Sequence, residues 1–470
     1  MTKKHACLVG VGVTFFSLMV WPAFAAEKAG SLGNPESPAI SALKPFDVLA
    51  KTPFDIATLE LIAEIETPSM RQPFNDLKAM VNRSFNSVPQ ILRSIENRRA
   101  AEAGREEAFA GYLPRVSASV GKGRTNYSRY PDSTSRDSSL TASQLLYDFG
   151  ATGGAVDAAD ARAKAAGHEE SRDRSSTLVS MLTAVFDLER ARRNLFFSRG
   201  YVSSRELFLG VTVERERIGG GSKLDVVRAR TKVSEASDEI PGALRDVAAA
   251  ESRFRELFGG PPPTQKLSYR LPATEVRVDV DTSAIVRQLP AYMNADAAVV
   301  AALGDYEASK GRIWGGLNLE LSNSQSDVGS AAESKQTTAQ VIYRVDIFSG
   351  FAQSARASAA AARYSQAQSE RDRVYRELMS NVEVSEQSYR AALASRANRV
   401  SLVSGARETD GATRELFLMG KAPLSDVFRA QEEFFAAVQK LIRAQFDYEI
   451  AMVEYLASRG ELLPLFDLGV

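Results

Sequence analysis

The side chains that carry most covalent and metal chemistry are nearly missing from this chain of 470 residues. Its thiols and imidazoles are Cys7, His5 and His168. A metal site built on such ligands needs several of them together, and a thiol nucleophile needs a base beside it. His168 therefore reads as a solvated helix residue. No glycine-rich phosphate loop follows a strand, and there is no Gly-x-Ser-x-Gly elbow. Catalysis is not expected, nor is a metal or other cofactor. Two acidic residues do stand at a meaningful spacing. Asp225 follows Gly219-Gly220-Gly221, and Asp426 follows Gly420. Each lies in the first turn of a restarting helix, where a carboxylate complements free N–H groups and the helix dipole.

Those glycine turns interrupt very long helical stretches. From Ala151 to about Arg217 there is no proline, and after Gly167 only Gly200 and Gly210 intervene before the turn. At ~1.5 Å per residue such a helix reaches on the order of 100 Å, far beyond an ordinary globular element. The design recurs at a shift of 201 residues, the distance from Pro89 to Pro290. The same shift carries Gly219 onto Gly420, Asp225-Val226 onto Asp426-Val427, Gly259 onto Gly460 and Pro263 onto Pro464. Landmarks held in register without a gap imply a duplicated unit.

Taken in order, residues 1–25 read as a secretory signal. Lys3 and Lys4 precede an apolar run from Leu8 to Val20, and Ala23-Phe24-Ala25 has the small-x-small form of a cleavage site. Cys7 is too early to carry a lipid beside that site. Residues 26–73, rich in proline, read as an irregular extension with a helical turn or two around Asp55 to Glu66. The first repeat covers 74–258: a helix kinked at Pro89, a β-hairpin at about 113–149, a long helix 151–217 and a returning helix 223–258. A linker, 259–282, leads to the second repeat, 283–464, with its hairpin at about 312–348, long helix 350–418 and returning helix 424–459. A short tail, 465–470, ends the chain. Lys+Arg 58 against Asp+Glu 58 leaves no net charge, so nucleic acid is not an expected partner.

The hairpins alternate. Val116, Ala118 and Val120 face opposite Ser117 and Ser119; after a polar loop with Pro131, Asp132 and Arg136, a second strand runs from about Ser138 to Phe149. Leu317, Leu319 and Leu321 alternate with Asn318, Glu320 and Ser322, and Ala339, Val341, Tyr343, Val345 and Ile347 with polar neighbours. Strands of about 12 residues are long enough to cross a membrane, which needs ~9–11 tilted residues. Tyr112, Tyr147, Trp314 and Phe348 stand near strand ends, where interfacial aromatics belong. Four strands cannot close in lipid, so a barrel requires an oligomer. A soluble sheet covered by its own helices, within a periplasmic coiled-coil rod, is the competing architecture.

Leu146-Tyr147-Asp148-Phe149-Gly150 and Gly219 through Ala229, with Ile347-Phe348-Ser349-Gly350 and Gly420 through Ala430, resemble the TolC-type outer-membrane channels over about residues 74–464. The resemblance implies a homotrimer: a barrel of about twelve strands in outer-membrane lipid, continuing into an α-helical periplasmic tunnel. It implies a periplasmic adaptor and an inner-membrane pump of ABC or RND type as partners. The function expected is a passive exit duct of a Gram-negative export system. Type I protein secretion is preferred for want of a lipid-attachment cysteine, with small-molecule efflux as the alternative. The family closes its tunnel at the turns. Asp426 falls on an acidic position lining that constriction, a second acidic position falls on Arg429, and the tyrosine and arginine of the closing bridges fall on Phe417 and Ala422. Asp225 is kept as an acceptor. These departures imply closure by packing around Phe417 and Leu418, and Asp426 remains either a ring residue or a helix-dipole partner.

Overall fold

The computed structural model describes residues 52–66, 71–125, 133–264, 271–272, 281–326 and 334–468. The expected signal with Cys7, the loop residues Pro131 and Asp132, and much of the linker lie outside the described residues.

Three helices come first: α1 (Pro53–Glu66), α2 (Arg71–Phe85) and α3 (Pro89–Phe109). A short turn leads into β1 (Arg115–Thr125) and β2 (Ser133–Tyr147), then α4 (Ala151–Arg217) and α5 (Lys223–Phe258). The pattern repeats as α6 (Thr282–Gln288), α7 (Pro290–Gly311), β3 (Gly316–Ser326), β4 (Ser334–Arg344), α8 (Ala352–Leu418) and α9 (Leu424–Ser458), with α10 (Leu462–Leu465) closing the chain. The duplication is literal. Helices α4 and α8 are both 67 residues long and begin at positions related by the Pro89-to-Pro290 shift, as do the 11-residue strands β1 and β3.

Several expectations need correction. Residues 53–66 form a 14-residue helix, not an irregular stretch with a turn or two. Pro89 does not kink a helix but begins one, as Pro53 does in the proline-rich segment; at the first helical position a missing N–H costs nothing. Val88 before Pro89 is extended, as a residue preceding proline prefers, so α2 and α3 are separate helices. Arg136 belongs to β2 rather than to the loop, and β4 ends at Arg344, leaving Val345 and Ile347 outside it. The expected helix start at 350 moves to Ala352 because Gly350 and Phe351 are both left-handed, at φ 60° and 64°. The tail is no appendage: Phe466 and Leu468 are buried in the core.

The core runs lengthwise between α4 and α9. Leu178, Met181, Leu182, Val185 and Phe186 of α4 join Phe434, Val438, Leu441, Ile442 and Met452 of α9, with α1, α2 and α3 supplying Phe54, Leu77, Val81 and Ile91. Nearer the strands, α4 crosses α7 at backbone contact. A Cβ on Gly154 would stand 2.6 Å from Gly304 O and Ala308 N, so only glycine permits the approach.

Candidate channel wall and tip

The strands form one antiparallel sheet in the order β1-β2-β3-β4. Directly opposed residues share a face, so the register sorts the sheet by chemistry. One face carries the row Val116, Ala142, Leu321 and Ala339, then Leu319 with Val341 and Leu317 with Tyr343. The other carries Ser117, Thr141, Ser322 and Thr338; then Ser119, Ser139, Ser324 and Gln336; then Arg115, Ser143, Glu320 and Gln340. Neither face is covered: none of the strand residues whose burial is described is buried, and on the apolar face Val120 is 88 % exposed and Val341 58 %. The soluble architecture, in which the protein's own helices cover the apolar face, is therefore absent from the chain. Among the described residues no helix is long and apolar enough to cross a membrane.

The aromatic residues gather at the helix end of this sheet. Tyr112, Tyr147, Trp314 and Phe348 are all exposed there. Tyr147 packs on Phe149 at 4.9 Å between ring centroids, and Phe149 reaches Trp314 and Tyr343 at 6.2 and 6.4 Å. The Tyr343 hydroxyl donates to the Trp314 carbonyl at 2.6 Å. Phe348 meets Phe351 at 5.6 Å. Sequence reasoning missed Phe149 and Phe351 as members of this belt. The signal was an aromatic beside glycine at each strand-to-helix junction, Phe149-Gly150 and Gly350-Phe351, where both residues of each pair take positive φ.

At the opposite end the four long helices meet in two turns. Gly219 (φ 79°) and Gly420 (φ 74°) occupy equivalent left-handed positions. Behind them Gly220 N–H donates to Arg215 O and Lys421 N–H to Leu416 O, both at 2.8 Å. Gly221 lies against the Arg215 and Glu216 backbone. The two acids then part company. Asp225 completes a capping box, accepting from the Ser222 N–H and hydroxyl while its own N–H donates to Ser222 Oγ at 3.1 Å. Asp426 caps nothing: α9 starts behind Pro423 with no side-chain cap, and the Asp426 carboxylate meets Arg429 at 3.4 Å in an exposed pair. Such a pair is worth little.

Phe417 is buried, packed with Phe208, Val211, Ala229, Leu424, Val427 and Phe428; Leu418 lies alongside, half-buried. Arg215 ties the two turns together. Its guanidinium stacks 4.3 Å from the Phe417 ring centroid and donates to Phe417 O at 2.8 Å and Gly220 O at 3.3 Å. Nothing in the sequence marked Arg215, whose counterpart in the second repeat is Leu416. Among the described residues no group of His, Cys, Asp and Glu could hold a metal ion.

The chain matches the family described as "Outer membrane efflux protein" over residues 81–260 and 288–458, well over half its length. It is 24 % identical over 367 residues to outer membrane efflux protein BepC of Brucella suis, covering 76 % of this chain and 78 % of that protein. It is 23 % identical to protein CyaE of Bordetella pertussis, covering 94 % and 90 %. The fold is that of the Campylobacter jejuni CmeC outer membrane channel, with a TM-score of 0.72 at 13 % identity over 82 % of this chain and 86 % of that one. A similar fit holds for the Neisseria gonorrhoeae MtrE outer membrane channel, with a TM-score of 0.70 at 16 % identity, covering 82 % and 89 %. Matched across both repeats and in fold, this chain belongs to the outer membrane efflux protein family, passive channels that generally act as trimers with periplasmic adaptors and inner-membrane pumps.

Proposed function

We propose that three copies of this chain close a single barrel in the outer membrane of a Gram-negative bacterium, after removal of a signal near Ala25, and act as the passive exit duct of a tripartite export system. The observation that carries this is the unpaired sheet with one apolar and one polar face. Its end strands β1 and β4 have open backbone edges, which lipid does not tolerate. The repeat supplies the closing geometry. Shifted by one repeat, the β2–β3 register of Ser138 with Gln325, Leu140 with Asn323 and Ala142 with Leu321 becomes Ala339 with Arg124, Val341 with Lys122 and Tyr343 with Val120 between neighbouring subunits. That register keeps Tyr343 and Val120 on the same apolar face. Two copies would give a narrow barrel filled by side chains; three give a lumen, lined by the Ser, Thr and Gln rows.

The turns at Gly219–Asp225 and Gly420–Asp426 form the periplasmic tip. There Phe417 and Leu418 close the bore by packing, and uncapped Asp426, offset by Arg429, presents the exposed acid to cations. A periplasmic adaptor and an inner-membrane ABC or RND pump deliver the substrate. A secreted protein is the preferred cargo, on the position of Cys7. Small-molecule efflux is the second reading, favoured by the name of the Brucella relative.

The test is outer-membrane fractionation followed by bilayer recording. Heat-modifiable trimers with single-channel conductance are expected, and a periplasmic structural rod would give neither. Disrupting the gene then separates the cargoes: loss of a protein from the medium supports secretion, and drug sensitivity with unchanged secretion supports efflux.

A further inference from the structure

We propose that α1 is a releasable clamp that fastens the second helical hairpin, α8 and α9, to the first, and thereby restrains the tip. Helix α1 lies outside the residues that the family description matches, 81–260 and 288–458. It touches both hairpins. The Phe54 ring sits among Phe197 and Tyr201 of α4 and Phe434 and Phe435 of α9, at centroid distances of 5.0 to 6.3 Å. Glu64 pairs with Arg193 of α4 at 2.6 Å. On the other side Asp55 takes both terminal nitrogens of Arg414 on α8 at 3.0 to 3.1 Å, and Arg414 also binds Asp410. Thr52 holds the Asp55 carboxylate in place through its N–H and hydroxyl, both at 2.8 Å.

Asp410 and Arg414 stand where the first repeat has Leu209 and Val213, so these two charges belong to α8, where Asp55 of α1 meets them, and are absent from the equivalent positions of α4. A buried ion pair is costly unless every partner is present, and removing one partner leaves the others uncompensated. Arg414 is thus shared between Asp410 of its own helix and Asp55 of α1, and removing Asp55 takes away the carboxylate that meets both of its terminal nitrogens. Because Phe54 is anchored on α4 and α9 while Asp55 is anchored on α8, the hairpins cannot slide past each other without breaking one anchor. Arg414 lies about 6 Å of helix rise from the end of α8, next to the packed tip, so a small displacement there is felt at the turns.

The test uses the full chain extracted from the membrane, comparing wild type with Asp55→Asn, Phe54→Ala, and the exchange Asp55→Arg with Arg414→Asp. Limited trypsin cleavage at the tip, beside Arg217, Lys223 and Lys421, is the readout and is independent of channel activity. Asp55→Asn and Phe54→Ala should each speed tip cleavage about tenfold with assembly retained, and the exchange should return it to within twofold of wild type. Wild-type cleavage in both single variants would overturn the clamp. So would an exchange no better than Asp55→Arg alone, or loss of assembly in the isosteric Asp55→Asn, which would make α1 part of the folding core. Conductance, where recorded, should rise with the cleavage rate. A wild-type protein without conductance counts against the channel reading and leaves the cleavage result to judge the clamp.

Discussion

In the first repeat the outgoing helix α4 is the buried one, from Ala151 through Phe186 to Thr212, while the returning helix α5 buries only Ala229, Ala236, Phe254 and Phe258. In the second repeat the roles are reversed. Helix α8 buries Ala360, Val382, Tyr389, Val403, Asp410, Arg414 and Phe417, whereas α9 is buried along nearly its whole inner face from Leu424 to Leu456. One backbone template thus carries two burial patterns. The difference marks an internal seam shared by α4 and α9, while α5 and α8 leave most of their surface open, as β1 and β4 each leave an edge; in the proposed trimer a neighbouring copy would cover these parts.

The sharpest way to break that comparison is at the close crossing of α4 and α7. Gly154→Leu should cost 3 kcal/mol or more, by the rough scale for overpacking against backbone, and abolish both the fold and the trimer. At the equivalent place in the second repeat Ala355 is exposed in the single chain. Ala355→Leu should leave the monomer's helicity and thermal unfolding intact while removing heat-modifiable trimers. Equal effects of the two substitutions on the monomer would mean that the margins are not subunit contacts.

A second difference lies in the charges of α8. Burial pushes the Asp410 carboxyl up to about 6 from 3.8, against the pull of Arg414 on its own helix and of Arg205 from α4, with Asp55 from α1 raising it further. The folded state therefore binds this proton more tightly than the unfolded chain. The stabilisation is fully present below about pH 4 and is lost as pH rises through about 6. Across that window the group accounts for on the order of 3 kcal/mol. Unfolding of wild type at pH 5 and 7.5 should show about half of that loss at the higher pH, and Asp410→Asn should remove it. In the first repeat the position is Leu209, and its replacement by Ala should add no pH dependence.

The smallest effects separate the two tip acids. Asp225→Ala removes a capping box and should cost about 1 kcal/mol in thermal unfolding with no change in cation block. Asp426→Ala should leave stability within about 0.5 kcal/mol and weaken block by multivalent cations from the periplasmic side, while Arg429→Ala should strengthen it. Unchanged block in both Asp426→Ala and Arg429→Ala would remove this pair from the constriction.

Much of the frame was legible because its signals are local and long. The absence of proline between Ala151 and Arg217, the strict alternation from Leu317 to Ser322 and the repeat shift each point one way. Helix α1 was obscured because prolines that begin helices look, in sequence, like prolines that end them. The Asp55, Asp410 and Arg414 cluster joins residues 359 positions apart, and no spacing rule spans that distance. Arg215 was missed for a related reason: the ring it stacks on belongs to a residue 202 positions away, and its hydrogen-bond acceptors, Phe417 O and Gly220 O, are backbone atoms of two separate turns.

The account depends on β1 of one copy closing on β4 of the next, in the register inherited from β2 and β3. That register sets Gly123 opposite Gln340, as Ser324 stands opposite Ser139 within the chain. A Gly123→Cys, Gln340→Cys double variant, in a chain whose other cysteine is Cys7, should form covalent trimers when outer-membrane preparations are oxidised. Monomers bridged internally, or a chain recovered without detergent and free of cross-links, would contradict it.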